Sequence, residues 1–138
     1  MEKKINFTYT IMQMANPLDA YKKVEQTTLS GRELEAMVLQ KSAKLLRDCQ
    51  NNWNDPDIYN LLAESIKYNQ TIWTLLQTEL VNPDNPLPKK IKEDLLSLSS
   101  FIDKRSIDIM AFPSPEKLTI LIDININIAA GLRGSTGQ

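Results

Sequence analysis

The sequence predicts an all-α fold, a single compact bundle of about five helices behind an N-terminal arm. Three observations lead to it. Apolar residues recur at steps of three and four through successive stretches of the chain. Most of those stretches open at a proline or a capping serine, placed where helices start. A chain of 138 residues can also bury about two-thirds of its unfolded surface, enough for one core without staples.

Residues 1–14 mix Thr, Asn and isolated apolar side chains without a sustained period, and read as a flexible arm ahead of a helical domain over residues 15–132. Asn16-Pro17 opens a short helix carrying Ala20, Tyr21 and Val24. Ser30-Gly31-Arg32-Glu33 is a capping box, in which the Ser30 hydroxyl and the Glu33 carboxylate each reach the other residue's amide, so a helix begins at Gly31. Its core stripe is Leu34, Val38, Leu45 and Cys49, with Met37, Ala43 and Leu46 beside it, to about Gln50. Asp55-Pro56 starts a long helix whose stripe runs Ile58, Leu62, Ile66, Trp73, Leu76 and Leu80 to Val81.

The turn formers from Asn82 to Pro86 end that helix, and Pro88 suits the first turn of the next, which runs to about Ala111. Ile91, Leu95, Leu98, Ile102 and Ile109 form its core stripe, whereas Leu96, Phe101, Ile107 and Met110 lie off it. This is more apolar surface than one face needs, so the helix is packed on several sides or receives another protein. Ser114 and Pro115 open the last helix. The alternation Ile120, Ile122, Ile124, Ile126, Ile128 favours a strand. Helix is preferred, because Leu118, Ile122, Asn125, Ala129 and Leu132 share one helical stripe, Glu116, Thr119, Asp123 and Asn127 share a wholly polar one, and a lone strand would have no partner. Gly131 or Gly134 ends the helix, leaving residues 133–138 as a disordered tail.

The composition argues against an enzyme. There is no histidine, hence no Ser-His or Cys-His pair, and no phosphate-binding glycine loop, so neither cofactor nor metal is expected. The carboxylate pairs Asp55/Asp57 and Glu33/Glu35 read as a helix cap and a solvated face. The single cysteine, Cys49, lies on an apolar stripe and reads as a small buried hydrophobe in a reducing compartment. No stretch has the length of a membrane span or a signal core, so the expected home is the cytoplasm. Sixteen Lys+Arg against seventeen Asp+Glu give no basic field for nucleic acid. Lys89, Lys90 and Lys92 are an ordinary solvated first turn, because no aromatic residues interleave with them as a base-stacking platform requires. Asn69 and Asn125 stand on apolar stripes, where an unpaired amide costs about 1–3 kcal/mol; the two are expected to bond across packed helices, or to backbone at a helix crossing, and set the bundle's register.

Taken in order, Ala20-Tyr21, Thr27-Thr28 leading into Ser30-Gly31-Arg32-Glu33, Tyr68-Asn69-Gln70-Thr71-Ile72-Trp73, Asn85-Pro86-Leu87-Pro88, Leu96-Ser97-Leu98-Ser99 and Leu121-Ile122-Asp123-Ile124-Asn125 resemble the FlaF family of flagellar biosynthesis regulators. The resemblance spans about Asp19 to Leu132. The family pattern commonly has proline at Gly31, tryptophan at Tyr68 and a basic residue at Ile126; only the last change removes an expected polar contact. What the resemblance implies is a cytoplasmic, non-catalytic protein that binds unassembled flagellin and supports its production and secretion alongside FlbT, a regulator of flagellin messenger translation. Helix-in-groove packing suits such a client, and Trp73, Tyr68, Leu98, Phe101 and then Tyr21 are the candidate anchors, although a plain core position is the first reading of each. Two rival readings are a regulator touching the flagellin transcript through Lys89, Lys90, Lys92, Lys104 and Arg105, which the charge balance disfavours, and a helical scaffold in flagellar assembly. The sequence does not specify an oligomeric state.

Overall fold

The computed structural model of the chain describes residues 31–134. They form α1 (Gly31–Asn51), α2 (Ile58–Leu80), α3 (Lys89–Ala111) and α4 (Thr119–Leu132), with a 3-10 turn, Pro115–Leu118, leading into α4. The described residues thus hold four α-helices and no strand, against about five helices expected. The arm, the helix opening at Asn16-Pro17, Tyr21 and the Ser30 cap lie outside them.

Turn chemistry sets the helix starts, though not always through the expected atoms. Asp55 Oδ1 accepts from the Asp57 amide at 2.8 Å, folding the chain back ahead of α2. Asp57 occupies the N-cap without bonding a backbone amide, and its Oδ1 instead accepts from Asn60 Nδ2 at 2.8 Å. The α2–α3 connection is tied by Asn85, whose Nδ2 donates to Glu79 O at 3.1 Å while its Oδ1 accepts from the Leu87 amide at 3.0 Å. Ser114 is extended ahead of Pro115 but its side chain makes no cap bond; its carbonyl accepts from the Lys117 amide at 3.3 Å. The alternating isoleucines are helical. Leu118, Leu121, Ile122, Asn125 and Ala129 are all buried, and that three- and four-residue spacing outweighs the β preference of the side chains between them.

Contacts across three helix pairs set the topology. Ser42 meets Asn69 and Cys49 meets Ser65, so α1 and α2 are antiparallel. Gln50 Nε2 donates to Pro115 O and Thr119 Oγ1, both at 2.9 Å, so the end of α1 is pinned to the start of α4 and these two are antiparallel as well. Gln77 Nε2 donates to Ser99 Oγ and, at 3.3 Å, to Asp103 Oδ2, so α3 returns along α2. Backbones pack side by side between α1 and α2, α2 and α3, and α1 and α4. Between α3 and α4 the link is the 3-10 turn, which touches both. The backbones of α3 and α4, like those of α2 and α4, stand farther apart.

Two expected stripes are corrected. On α1 the expected Val38, Ala43, Leu46 and Cys49 are buried and are joined by Ala36, Leu39 and Ser42, while Leu34, Met37 and Leu45 are half-buried. The buried face is wider than the expected stripe and includes Ser42, whose hydroxyl has a buried partner in Asn69. Glu35, expected on a solvated face, is 6% exposed and belongs to the interior side. On α3 the stripe is continuous in sequence but not in burial: Ile102 and Ile109 are buried, Leu95 and Leu98 half-buried, and Ile91 is 44% exposed. No residue of α3 before Ser99 is buried.

Candidate functional site

Two features stand next to each other, a sealed polar hub and an apolar seam beside it. In the hub, Trp73 Nε1 donates to Asn125 Oδ1 at 2.9 Å, Asn125 Nδ2 donates to Asn69 Oδ1 at 2.8 Å, and Ser42 Oγ donates to the same Asn69 oxygen at 2.9 Å. All four residues are fully buried. An indole N–H only donates, so Trp73 fixes which end of Asn125 faces it, and Asn125 in turn fixes Asn69. Flipping either amide would set donor against donor. The chain of bonds joins α1, α2 and α4 through their side chains and leaves Asn69 Nδ2 as a buried donor without a protein partner. Ser42 is the member that sequence reasoning missed, because a serine amid Leu39, Ala43 and Leu46 carries no signal until its partner is known.

The structure separates the expected anchors. Trp73 is completely buried and hydrogen-bonded inside the hub, so it offers no surface to a partner; its assignment as an anchor is corrected to a core residue. Tyr68 is half-buried, with Lys41 of α1 lying 5.8 Å from its ring centre. Burial pushes its phenol up to about 12, because the charged form would be desolvated, and its hydroxyl has no protein partner. Nine residues separate Tyr68 from Gln77, about 180° around an ideal helix. Tyr68 therefore faces α1 while Gln77 faces α3, and the tyrosine is not brought together with Leu98 and Phe101. Those two do share one flank of α3. Leu98 is half-buried, and Phe101 is 37% exposed with the Arg105 guanidinium 5.5 Å from its ring centre. Tyr21 lies outside the described residues.

The flank carrying Leu98 and Phe101 is turned away from α2, which holds Ser99 and Asp103. On α4, Ile128 is nine residues from Thr119, hence about 180° from the side that Gln50 of α1 reaches. Ile124 and Leu132, each four residues from Ile128, lie along the same edge, and all three are half-buried. On α2, Leu76 stands two turns beyond Asn69 on the same face and is also half-buried. Leu95 and Leu98 on one wall, Ile124, Ile128 and Leu132 on the other, and Leu76 on the floor thus outline an apolar seam. Its far end is clasped shut by Lys117, which donates to Phe112 O at 2.7 Å and pairs with Asp108 at 3.0 Å. Towards the start of α3 nothing comparable joins the walls among the described residues.

Chemistry other than packing finds little support here. Lys89 and Lys90 pair with Glu93 and Asp94 at 3.9 and 3.1 Å along the exposed face of α3, so acidic side chains interleave with the lysines there. Cys49 is buried, 3.4 Å from Ser65 Oγ. Among the described residues no group of His, Cys, Asp or Glu is arranged to hold a metal ion, and no helix is long and apolar enough to cross a membrane.

A family model described as flagellar protein FlaF matches residues 17–132. The chain belongs to the FlaF family. No curated protein and no solved structure matches it. The matched span takes in all four helices, the hub and both walls of the seam, together with residues 17–30 ahead of α1. Membership places this chain among flagellar proteins. Within it, Ile126, where the family pattern is commonly basic, is 36% exposed on α4, so the apolar substitution sits at the surface and leaves the hub untouched.

Proposed function

We propose that this FlaF-family protein binds unassembled flagellin in the cytoplasm as a chaperone, without catalysis, and so promotes its synthesis and secretion. The observation that carries the reading is the row of apolar side chains left half-buried along α3 and α4 among the described residues. These are leucine and isoleucine, with Phe101 at the rim, a chemistry that one amphipathic helix would cover. An unassembled filament subunit is a natural source of such a helix. A reading in which the transcript itself is bound has less to rest on, because Lys89 and Lys90 are already paired within α3 and Arg105 lies over Phe101.

Co-elution of the purified full chain with flagellin tests the proposal. Leu98→Asp and Phe101→Asp should each weaken the complex by tenfold or more, roughly the loss of a hot-spot residue, whereas Ile107→Asp, on the far side of α3 and 67% exposed, should leave it intact. The complex should also survive high salt, unlike a phosphate-driven one. Absence of a complex at micromolar concentrations, or equal binding by all three variants, would overturn the assignment.

A further inference from the structure

We propose that α3 is a lid, swinging as a unit off a body made of α1, α2 and α4, and that a client helix enters as it opens. This deepens the proposed function and rests on that reading only for the client's identity.

The hub holds the body together without α3. Ser42, Asn69, Trp73 and Asn125 bond α1, α2 and α4 to one another, and α3 supplies no member. It is also less buried than its neighbours. Four of its 23 residues are buried, against seven of 23 in α2 and four of only 14 in α4. Two of those four are apolar, Ile102 and Ile109, and Ser106 donates back to Ile102 O of its own helix at 2.7 Å. Few buried apolar side chains put an element at the low end of local stability.

The other ties between α3 and the body are polar. Gln77 Nε2 donates to Ser99 Oγ and, at 3.3 Å, to Asp103 Oδ2. Near the end of α3, Lys117 pairs with Asp108 at 3.0 Å and donates to Phe112 O at 2.7 Å. Lys117 belongs to the body, because Gln50 of α1 bonds Pro115 O and Thr119 Oγ1 on either side of it. α3 has no basic residue in its last turn, so this ammonium supplies the charge that its carbonyl end favours. The Asp108 side chain is 45% exposed, which lets water compete for the pair.

Both ends of α3 are jointed. Residues 81–88, with Pro83, Pro86 and Pro88, precede it, and Phe112-Pro113-Ser114-Pro115 follows. Proline interrupts the helical path on each side, so α3 can turn at its loops without bending a helix. When it swings out, Ile102 and Ile109 join Leu95 and Leu98 on one uncovered stripe. From Leu95 to Ile109 that stripe is about 21 Å long, enough to lie along several turns of a client helix.

Hydrogen exchange on the full chain provides the test, and the parent protein is its first arm. Amides 102–109 should open at least about tenfold more readily than amides 66–73 around the hub. Equal protection of the two segments overturns the proposal. Lys117→Met and Gln77→Ala each cut one tie and should each raise opening at 102–109 by about fivefold, with 66–73 unchanged. No rise in either variant, or an equal rise in both segments, also overturns it. Flagellin separates the lid from its client. Apparent affinity scales with the population of the binding-competent form, so Lys117→Met should tighten flagellin binding by the same factor that exchange reports. A complex whose affinity ignores a measured rise in opening keeps the flagellin reading and refutes entry through the lid. Faster exchange at 102–109 with no flagellin complex leaves the lid standing and removes the client.

Discussion

The two halves of α3 are built from one continuous apolar stripe, yet they live in different surroundings. From Ser99 onward the helix is wedged against α2 and the 3-10 turn, with Ile102 and Ile109 at 1% and 0% exposure and Lys117 bridging to Asp108. Before Ser99 the same stripe is only half-buried and ends at an Ile91 that is nearly half exposed. The same residue type at the same helical phase therefore stabilises the fold at one end and stands available for a partner at the other. What decides is the length of the neighbour. α4 has 14 residues against 23 in α3, so it can run beside only part of it.

The comparison breaks most sharply at Trp73. If the sealed side is the stabilising side, Trp73→Ala should cost about 3–5 kcal/mol, as for other buried aromatic truncations, read as a shift in urea midpoint at constant slope. It also removes the donor that orients Asn125. A variant that remained as stable as the parent and lost only flagellin binding would reverse the roles assigned to the two regions. Asn125→Leu comes next. It leaves the Trp73 N–H without its acceptor and Asn69 Oδ1 with Ser42 as its remaining donor, so a loss of about 1–3 kcal/mol is expected. The chain should still fold, but with broadened NMR lines where α2 meets α4. An unchanged sharp spectrum at unchanged stability would show that the hub does not set register.

Leu98→Ala samples the first half of α3. A leucine that is only half-buried has less to lose than one in the closed core, so the cost should be about 1 kcal/mol, well below the 2–5 kcal/mol of full burial, while flagellin binding falls. A cost as large as that of Leu46→Ala, at a residue with no exposure, would mean that Leu98 is packed in the free protein as tightly as the core.

Much of this was legible in the sequence, for a physical reason. Pro56, Pro88 and Pro115 and the Asn82–Pro86 turn mark helix starts and ends through local sterics, which need no tertiary information. Asn69 and Asn125 were conspicuous because a polar residue on an apolar stripe demands a partner. Ser42 was not, since a small hydroxyl can satisfy itself against the backbone of its own helix, as Ser106 does with Ile102 O at 2.7 Å. The seam could not be read at all. A stripe records that a helix has a buried side; how far along the helix a neighbour extends is set by helix lengths and packing acting together. The same limit placed Trp73 among the anchors, for a large aromatic at helical spacing looks alike in a core and at an interface.

The smallest effect isolates Tyr68, at the α1–α2 edge of the closed side. Its phenol is raised from 10.0 to about 12 by burial, so the folded state keeps its proton where the unfolded state has released it. The stabilisation is complete below pH 10, declines as pH rises from 10 towards 12, and is absent above, because in that window the unfolded chain binds fewer protons than the folded one. Tyr68→Phe cannot ionise, so the part of the alkaline stability loss due to this residue should vanish, read by urea titration at pH 9 and pH 11.5. At neutral pH the change should be slight, since the hydroxyl removed has no protein partner to lose. A phenol that instead titrated near 10 by ultraviolet absorbance would show water reaching the α1–α2 edge, and the sealed side of the molecule would then be smaller than the hub's own burial suggests.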